Sequence, residues 1–165
     1  SGVVDMCLIP EMKFNMDKVT AHVQELIDKH GHAVICVAEG AGQDIMEDNS
    51  SETDASGNPI LGDIGTYIKT YMKQHLREAD VKYIDPTYMI RAIPTTAPDR
   101  VYCKALGQSA VHGAFAGYTD ITVGIVNTHM AILPIPVIIQ APKIVNTAGS
   151  TWNRLRTAIR QPDLE

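Results

Sequence analysis

Hydrophobic positions along the first third of the chain follow two different periods. Residues 3–9 form a short apolar run, closed by Pro10 and Glu11, that predicts a buried strand. Apolar residues then recur at helical spacing from Val19 to His30, with Asn15 or Asp17 as N-cap and Gly31 at the end. Residues 33–38 are again apolar on both faces, as in a central parallel strand. The opening therefore predicts a β-α-β unit.

The alternation of strand and helix patterns continues to the end of the chain. The predicted elements are a helix over 64–76 capped by Asp63, a strand over 81–84, a helix rich in small residues over 99–118 that ends at Gly117, a strand over 121–126, and a closing helix over 151–160. Prolines interrupt the apolar stretch 130–141, which excludes one regular helix there. This pattern predicts an α/β fold, a layered α/β/α domain with a mainly parallel sheet.

A polar segment separates the two halves of this pattern. Residues 43–62 are rich in turn formers and contain five acidic residues and no basic one. Such a composition is typical of a solvated surface loop, with a lid or a partner-binding segment as the alternative. The segment lacks the alternating oxygen ligands of an EF-hand, so it does not predict a calcium site.

Composition narrows the class of protein and its partners. The 165 residues carry 14 Lys and Arg against 19 Asp and Glu, a net charge of −5 that argues against nucleic acid as the main partner. No apolar run approaches the ~20 residues that a bilayer span needs, which argues against a membrane protein. Residues 1–80 hold 6 basic and 14 acidic groups, and residues 81–165 hold 8 and 5. An anionic ligand therefore fits the second half better.

The three cysteines, Cys7, Cys36 and Cys103, are far apart in the sequence and lie in apolar contexts. Neither a CxxC motif nor a zinc-like spacing of Cys and His occurs. These features predict buried, reduced thiols in an intracellular protein and no metal site.

Candidate chemistry lies where the predicted strands end, because ligands of parallel sheets bind beyond the carboxyl ends of the strands. Glu39 follows the second strand, and its carboxylate can accept hydrogen bonds from sugar hydroxyls. Arg91 follows the Asp85-Pro86 turn, and its planar guanidinium suits phosphate. Tyr88 can add a phenolic donor beside it if the turn is helical. These residue types are also common at strand ends and turns without any function.

Four segments together are more specific than these residue types. They are LIPE at 8–11, VAEGAGQ at 37–43, KYIDPTYMIR at 82–91 and LGQSAVHGAFAGY at 106–118. They resemble the C-terminal part of 6-phosphofructokinase, most closely the ATP-dependent subfamily of plants and protists, which is close in sequence to the pyrophosphate-dependent enzymes. The resemblance covers nearly the whole chain in order, and its DPTYMIR segment is the most specific.

The resemblance implies a phosphofructokinase-like fold, C-terminal half, and a substrate role for residues already singled out. Glu39 would contact fructose 6-phosphate, and Tyr88 and Arg91 would hold its 6-phosphate side, with Met89 and Ile90 between them in the same site. The parent enzyme would phosphorylate fructose 6-phosphate to fructose 1,6-bisphosphate in glycolysis, as an allosteric kinase.

The resemblance also implies what these residues do not supply. The family's GGDD- or GGDG-like donor loop, its TIDND segment with the catalytic aspartate and its MGR segment do not occur in the 165 residues. The chain is therefore expected to hold no catalytic residue, and to be inactive and free of cofactor by itself. Mg²⁺ and ATP, or pyrophosphate, would bind the intact enzyme.

The expected organisation is one portion over residues 1–165, with residues 1–2 as a tag remnant and 143–165 as a C-terminal extension. Expected partners are fructose 6-phosphate, the N-terminal part of the same enzyme and further copies in a homo-oligomer. The expected location is cytoplasmic, with a plastid open for the parent. Three alternatives stay open: a stand-alone phosphosugar-sensing or regulatory domain of the same fold, part of a pyrophosphate-dependent phosphofructotransferase, and a piece that mainly serves subunit contacts.

Overall fold

The computed structural model describes residues 2–46, 53–141 and 143–165. Five helices and four strands lie within these ranges: β1 Met6–Leu8, α1 Met16–His30, β2 Ile35–Val37, α2 Ile64–His75, α3 Ala97–Phe115, β3 Ile121–Val126, β4 His129–Pro134, α4 Ile135–Ile138 and α5 Ser150–Ile159. This order confirms the α/β class. The predicted acidic loop over 43–62 falls partly on residues 47–52, which lie outside the described residues.

The chain divides into two compact units. Unit 1 comprises residues 1–84 and 144–165, and unit 2 comprises residues 85–143. Unit 1 contains β1, α1, β2, α2 and α5, and unit 2 contains α3, β3, β4 and α4. Each unit has its own strand pair, β1 with β2 in unit 1 and β3 with β4 in unit 2.

The predicted β-α-β opening is present in unit 1. β1 and β2 pair in parallel, with Met6 opposite Ile35 and Leu8 opposite Val37. The ladder ends where the Ala38 amide donates to the Leu8 carbonyl at 2.9 Å. Parallel strands need a crossover, and α1 provides it. The carboxyl ends of both strands therefore lie at one edge of the pair.

Capping sets the ends of the crossover helix α1. The Asn15 side chain accepts from the Asp17 amide at 2.7 Å, and Gly31 closes the helix in the left-handed conformation at φ 78°. A side-chain oxygen at the N-cap satisfies an amide that has no partner within the helix, and glycine adopts positive φ without strain. Asp63 caps α2 in the same way, through the Thr66 amide at 2.9 Å. Both caps confirm the predicted starts.

One hydrophobic core holds unit 1 together. It buries apolar side chains from β1, α1, α2 and the segments beside them: Met6, Leu8, Phe14, Met16, Val19, Val23, Ala41, Met46, Ile64, Ile68, Met72 and Leu164. The stripes predicted for α1 and α2 face this core, since Val19 and Met72 are almost completely buried. Full burial of one such side chain stabilises the fold by about 1.5–3 kcal/mol.

The last residues of the chain return to unit 1. The side chain of Gln161 bridges β1, accepting from the Cys7 amide at 2.8 Å and donating to the Cys7 carbonyl at 3.1 Å. Trp152 on α5 is 3% exposed, and its indole NH donates to the Met12 sulfur at 3.0 Å. The segment expected as a C-terminal extension therefore contributes to the packing of unit 1.

Unit 2 is a helix on an antiparallel hairpin. β3 and β4 pair from Ile121 opposite Pro134 to Val126 opposite His129. α3 packs closely on this hairpin at Gly113, where a Cβ atom would come within 2.6 Å of the Ile121 side chain. The small residues predicted to permit tight packing do so at this position. Parallel pairing is thus confined to unit 1 among the described residues.

The proline-rich stretch after β3 folds as two short elements. It forms β4 and then the single turn α4, which starts after Pro134. The prediction that residues 130–141 do not form one regular helix is confirmed. Among the described residues, no helix is both long and apolar enough to span a bilayer.

The strand predicted over residues 81–84 is wrong. The structure has no strand there, and residues 82–84 are exposed. A strand needs a neighbour to take its backbone hydrogen bonds, and within the described part of the chain these residues have no strand beside them. Tyr83 instead lies against α2, where a Cβ atom on Gly65 would come within 2.3 Å of the phenol ring.

The prediction of three buried thiols is also wrong. Cys36 and Cys103 are exposed and Cys7 is half-buried, although all three are free. The prediction assumed that β2 is covered on both faces. In the structure β2 packs on the core through Ile35 and Val37 alone, so its central residue faces outward.

Gly42 carries both a backbone and a packing constraint, and Gly57 carries only the first. Gly42 has φ +62°, and a Cβ atom there would lie 2.7 Å from Phe14 and 2.9 Å from Ile64. Gly57 has φ +82° with open space around it. We expect Gly42→Ala to lower the free energy of unfolding of unit 1 by about 2–4 kcal/mol and Gly57→Ala by ~1 kcal/mol.

Urea unfolding followed by the fluorescence of Trp152 measures this difference, because the only tryptophan of the sequence is buried in unit 1. Equal losses for the two variants would show that the close approach of the added Cβ atom to Phe14 does not destabilise the fold.

Candidate functional site

Glu39 emerges from the carboxyl end of the parallel strand pair, as predicted. It lies two residues beyond β2 and its side chain is exposed. The side chain of Gln43 holds the turn that follows, because its Nε2 donates to the Glu39 carbonyl at 3.2 Å. The same side chain accepts from the Gly62 amide at 2.9 Å. Gln43 therefore connects the Glu39 turn to the start of α2.

Close packing explains the glycines beside Glu39. A Cβ atom on Gly40 would lie 3.1 Å from the side chain of Pro10, which lies two residues after the end of β1. The segments LIPE and VAEGAGQ thus meet at the edge where β1 and β2 end. The absence of a side chain at Gly40 permits this close approach to Pro10.

Unit 2 opens with the turn that carries the other predicted site residues. The Asp85 carboxylate accepts from the Thr87 amide at 2.9 Å and from the Thr87 hydroxyl. The Ile90 amide then donates to the Pro86 carbonyl at 3.0 Å, which gives residues 86–90 one helical turn. Hydrogen bonds from Thr87 hold the pKa of Asp85 below its usual range.

This helical turn brings Tyr88 and Arg91 together. The guanidinium carbon of Arg91 lies 5.4 Å from the centroid of the Tyr88 ring, a cation–π arrangement. The Tyr88 side chain is 82% exposed. Among the described residues Arg91 has no ion pair with a carboxylate. The pair therefore offers a positive fork and a hydroxyl to an incoming anion.

Met89 and Ile90 lie between this pair and are 60% and 65% exposed. Four of the five predicted site residues thus belong to one turn of unit 2, and Glu39 belongs to unit 1. Two further residues support the turns that carry these positions, namely Gln43 and Asp85. The sequence indicates the turn at Asp85, since an Asp two residues before a Thr, with a proline between them, is typical of a turn that a side-chain hydrogen bond closes. No local sequence pattern marks the role of Gln43, because its partner Gly62 is distant in sequence.

Within the described ranges, no three His, Cys, Asp or Glu side chains lie close enough to hold a metal ion. The sequence also contains no P-loop that would cradle a nucleotide's phosphates.

Comparison with known proteins defines the class. The phosphofructokinase family model matches residues 1–114, and the chain belongs to this family. The chain is 54% identical to ATP-dependent 6-phosphofructokinase 5, chloroplastic, of Arabidopsis thaliana, over 99% of its own length and 32% of that relative. It is 35% identical to the ATP-dependent 6-phosphofructokinase of Borreliella burgdorferi, over 98% of its length and 39% of that protein. The predicted resemblance is confirmed.

The chain spans about a third of the length of the curated relatives it matches. Among solved structures, the pyrophosphate-dependent phosphofructokinase from Marinobacter aquaeolei superimposes with a TM-score of 0.62 at 18% identity, over 93% of this chain and 38% of that one. The corresponding structure from Nitrosospira multiformis gives the same TM-score. These likenesses confirm the phosphofructokinase-like fold.

The turn around Tyr88 depends on an ionised Asp85, which gives a pH-dependent prediction. Because the folded-state pKa of Asp85 is lowered, its hydrogen bonds with Thr87 persist above the unfolded value of about 3.9 and are lost as pH falls through the lowered pKa. The Thr87 amide resonance should therefore titrate with a midpoint below pH ~3.9 in NMR spectra.

Asp85→Asn retains an acceptor oxygen and should abolish this titration while keeping the turn. Asp85→Ala removes the acceptor and should speed exchange of the Thr87 amide with solvent roughly 2- to 10-fold. A Thr87 amide that titrates at or above the ordinary aspartate pKa would contradict the role of this hydrogen bond.

Proposed function

We propose that this chain is the fructose 6-phosphate-binding portion of a 6-phosphofructokinase. The parent enzyme transfers a phosphoryl group to fructose 6-phosphate and yields fructose 1,6-bisphosphate, a step of glycolysis. The observation that carries the proposal is the exposed Tyr88–Arg91 pair, ordered by its own helical turn. Names of the curated relatives, which are ATP-dependent 6-phosphofructokinases, support the reaction class.

In this proposal the 6-phosphate binds at the turn of unit 2. Arg91 donates two parallel hydrogen bonds to phosphate oxygens, and the Tyr88 hydroxyl donates a third. A charge-assisted fork of this kind is among the strongest hydrogen-bonding arrangements that proteins make. Met89 and Ile90 are part of the same site, where their exposed apolar side chains can pack against the sugar.

Glu39 binds the sugar itself in this proposal. A carboxylate accepts hydrogen bonds from two neighbouring hydroxyl groups, whereas it repels the phosphate. This difference assigns the hydroxyl groups of the ligand, and not its phosphate, to Glu39. None of these side chains is assigned proton or phosphoryl transfer, so the chain positions the acceptor and supplies no catalytic residue.

The donor site and the catalytic aspartate belong, in this proposal, to the N-terminal part of the same enzyme. That part would bind Mg²⁺ with ATP, or pyrophosphate, and these ligands supply charge neutralisation at the transferring phosphoryl group. The names of the relatives favour ATP. We further propose that the parent is allosteric and is located in the cytoplasm or a plastid, the latter in line with the chloroplastic relative.

Exposed apolar side chains support contacts with the rest of such an enzyme and with further copies in a homo-oligomer. In unit 2, Phe115 is 90% exposed, Ile139 73% and Val101 70%. Single exposed apolar residues are ordinary, but several of this size within 59 residues of unit 2 are typical of a surface that packs against another part of a protein.

Kinetics of the full-length parent test the phosphate assignment. Arg91→Ala should lower kcat/KM for fructose 6-phosphate ~30- to 1000-fold, or about 2–4 kcal/mol, because it removes one charge-assisted pair. The loss should appear mainly in KM, since phosphate is held equally in the ground and transition states. Arg91→Lys keeps the charge without the fork and should lose less.

The donor's KM serves as the internal control and should change little in both variants. Glu39→Gln keeps the shape and loses the charge, so a smaller effect on the fructose 6-phosphate side is expected. If Arg91→Ala left the sugar-phosphate KM unchanged and weakened donor binding, the turn would belong to the donor site.

The affinity of this chain for fructose 6-phosphate distinguishes two hypotheses, that it is part of an enzyme or that it is a stand-alone sensor. With only Glu39, Tyr88 and Arg91 as polar anchors, fructose 6-phosphate should bind on the order of millimolar or more weakly. Titration calorimetry with fructose 6-phosphate, and with fructose as the control that lacks phosphate, measures this. Micromolar affinity that depends on Arg91 would favour a complete phosphosugar sensor instead.

A further inference from the structure

Two of the three cysteines are direct partners in the parallel strand pair. Cys7 on β1 lies in register with Cys36 on β2. Neighbouring strands are ~4.7–4.9 Å apart, and a disulfide needs Cα atoms about 4.4–6.8 Å apart. The backbone spacing of this pair therefore satisfies the first requirement for a disulfide without movement of either strand.

Side-chain alternation places both thiols on one face. The residues on either side of each cysteine along its strand face the hydrophobic core: Met6, Leu8, Ile35 and Val37. Successive side chains point to opposite faces of a strand, so Cys7 and Cys36 point together away from that core. Cys36 is exposed and Cys7 is half-buried, so a reagent reaches Cys36 first.

The pKa of the Cys7 thiol reflects both its burial and its strand neighbour Cys36. Burial raises the pKa of the Cys7 thiol, and a negative charge on Cys36 and a hydrogen bond with it raise this pKa further. Cys7 itself is held in place, because Gln161 binds both its amide and its carbonyl. The two cysteines are therefore neighbours across the strand pair, and hydrogen bonds from Gln161 fix the backbone of Cys7.

We propose that Cys7 and Cys36 form a reversible disulfide that joins β1 to β2, with a small-molecule disulfide of the glutathione class as the oxidant. The inference rests on the register of the strand pair and is independent of the proposed sugar-phosphate site.

The chemistry is two successive thiol–disulfide exchanges. The exposed Cys36 thiolate attacks one sulfur of the oxidant, whose S–S bond breaks and releases one thiolate. Cys7 then loses its proton to solvent and attacks the Cys36 sulfur of this mixed disulfide, which releases the second thiolate. Two protein thiols are oxidised to one disulfide, and one oxidant disulfide is reduced to two thiols.

Peptide mapping of the full chain tests the bond. The chain is treated with oxidised glutathione, alkylated and digested with trypsin without reduction. Lysines at positions 13, 29 and 69 release Cys7 in peptide 1–13 and Cys36 in peptide 30–69. We expect these two peptides as one linked species, lighter by two hydrogen atoms than their sum, and separated again by dithiothreitol.

Single substitutions assign the linkage. Cys103→Ser is the matched control, since Cys103 is exposed in unit 2, and it should retain the linked species. Cys36→Ser should lose it, and Cys7→Ser should leave Cys36 as a glutathione adduct. Oxidation should also raise the thermal midpoint reported by Trp152 by on the order of 10 °C, in the original chain and in Cys103→Ser but not in Cys36→Ser.

Two results would overturn the proposal. One is a glutathione adduct on Cys36 with Cys7 still reduced in the original chain, which would show that the second exchange does not occur. The other is a linked species that forms between two chains through Cys36, detected by its dependence on protein concentration and by a doubled mass without reduction.

Discussion

The parallel pairing of β1 with β2 is the constraint on which unit 1 depends. Three register pairs form it, too few to be stable by their own hydrogen bonds. The pair persists because Met6 and Leu8 bury their side chains in the core that α1 and α2 supply. Once the pair exists, both strands end at one edge, and Glu39 must leave from that edge. The position of Glu39 thus follows from the packing of Ile35 and Val37, four and two residues before it, against this core.

A side chain from the far end of the chain completes this pairing. In a parallel pair, alternate residues of a strand turn their amide and carbonyl away from the partner, and these groups require another acceptor and donor. Gln161 supplies both for Cys7, so its amide takes the place of a neighbouring strand. The Leu164 carbonyl likewise accepts from the Asn15 amide at 2.7 Å, next to the start of α1. Residues 144–165 are consequently part of the unit that holds Glu39.

The candidate phosphate site has a different physical basis. Its order comes from contacts within seven residues, where Asp85 closes the turn and the Ile90 amide binds Pro86. Tyr88 and Arg91 are therefore held as neighbours by local geometry, and the surrounding core contributes little because both are exposed. A site of this kind combines an ordered turn with open access for an anion, which is the property that phosphate recognition requires.

Local chemistry made several features predictable from the amino-acid sequence alone. Periodicity and capping residues determined α1 and α2, since an N-cap and a hydrophobic stripe act within a few residues. The family motifs likewise identified the fold class, and the Asp-Pro-Thr turn indicated where Tyr88 and Arg91 would lie. These signals need no knowledge of distant partners.

Tertiary structure decided which segments meet. Within the described residues it left 81–84 without a neighbouring strand, made β3 and β4 an antiparallel hairpin, and returned Gln161 to β1. It also paired Cys7 with Cys36 on an outward face, where apolar flanking residues had predicted burial. Strand pairing joins residues far apart in sequence, and the face a residue presents depends on what covers the sheet. Neither property is encoded in a residue's immediate neighbours, so only the folded chain could decide them.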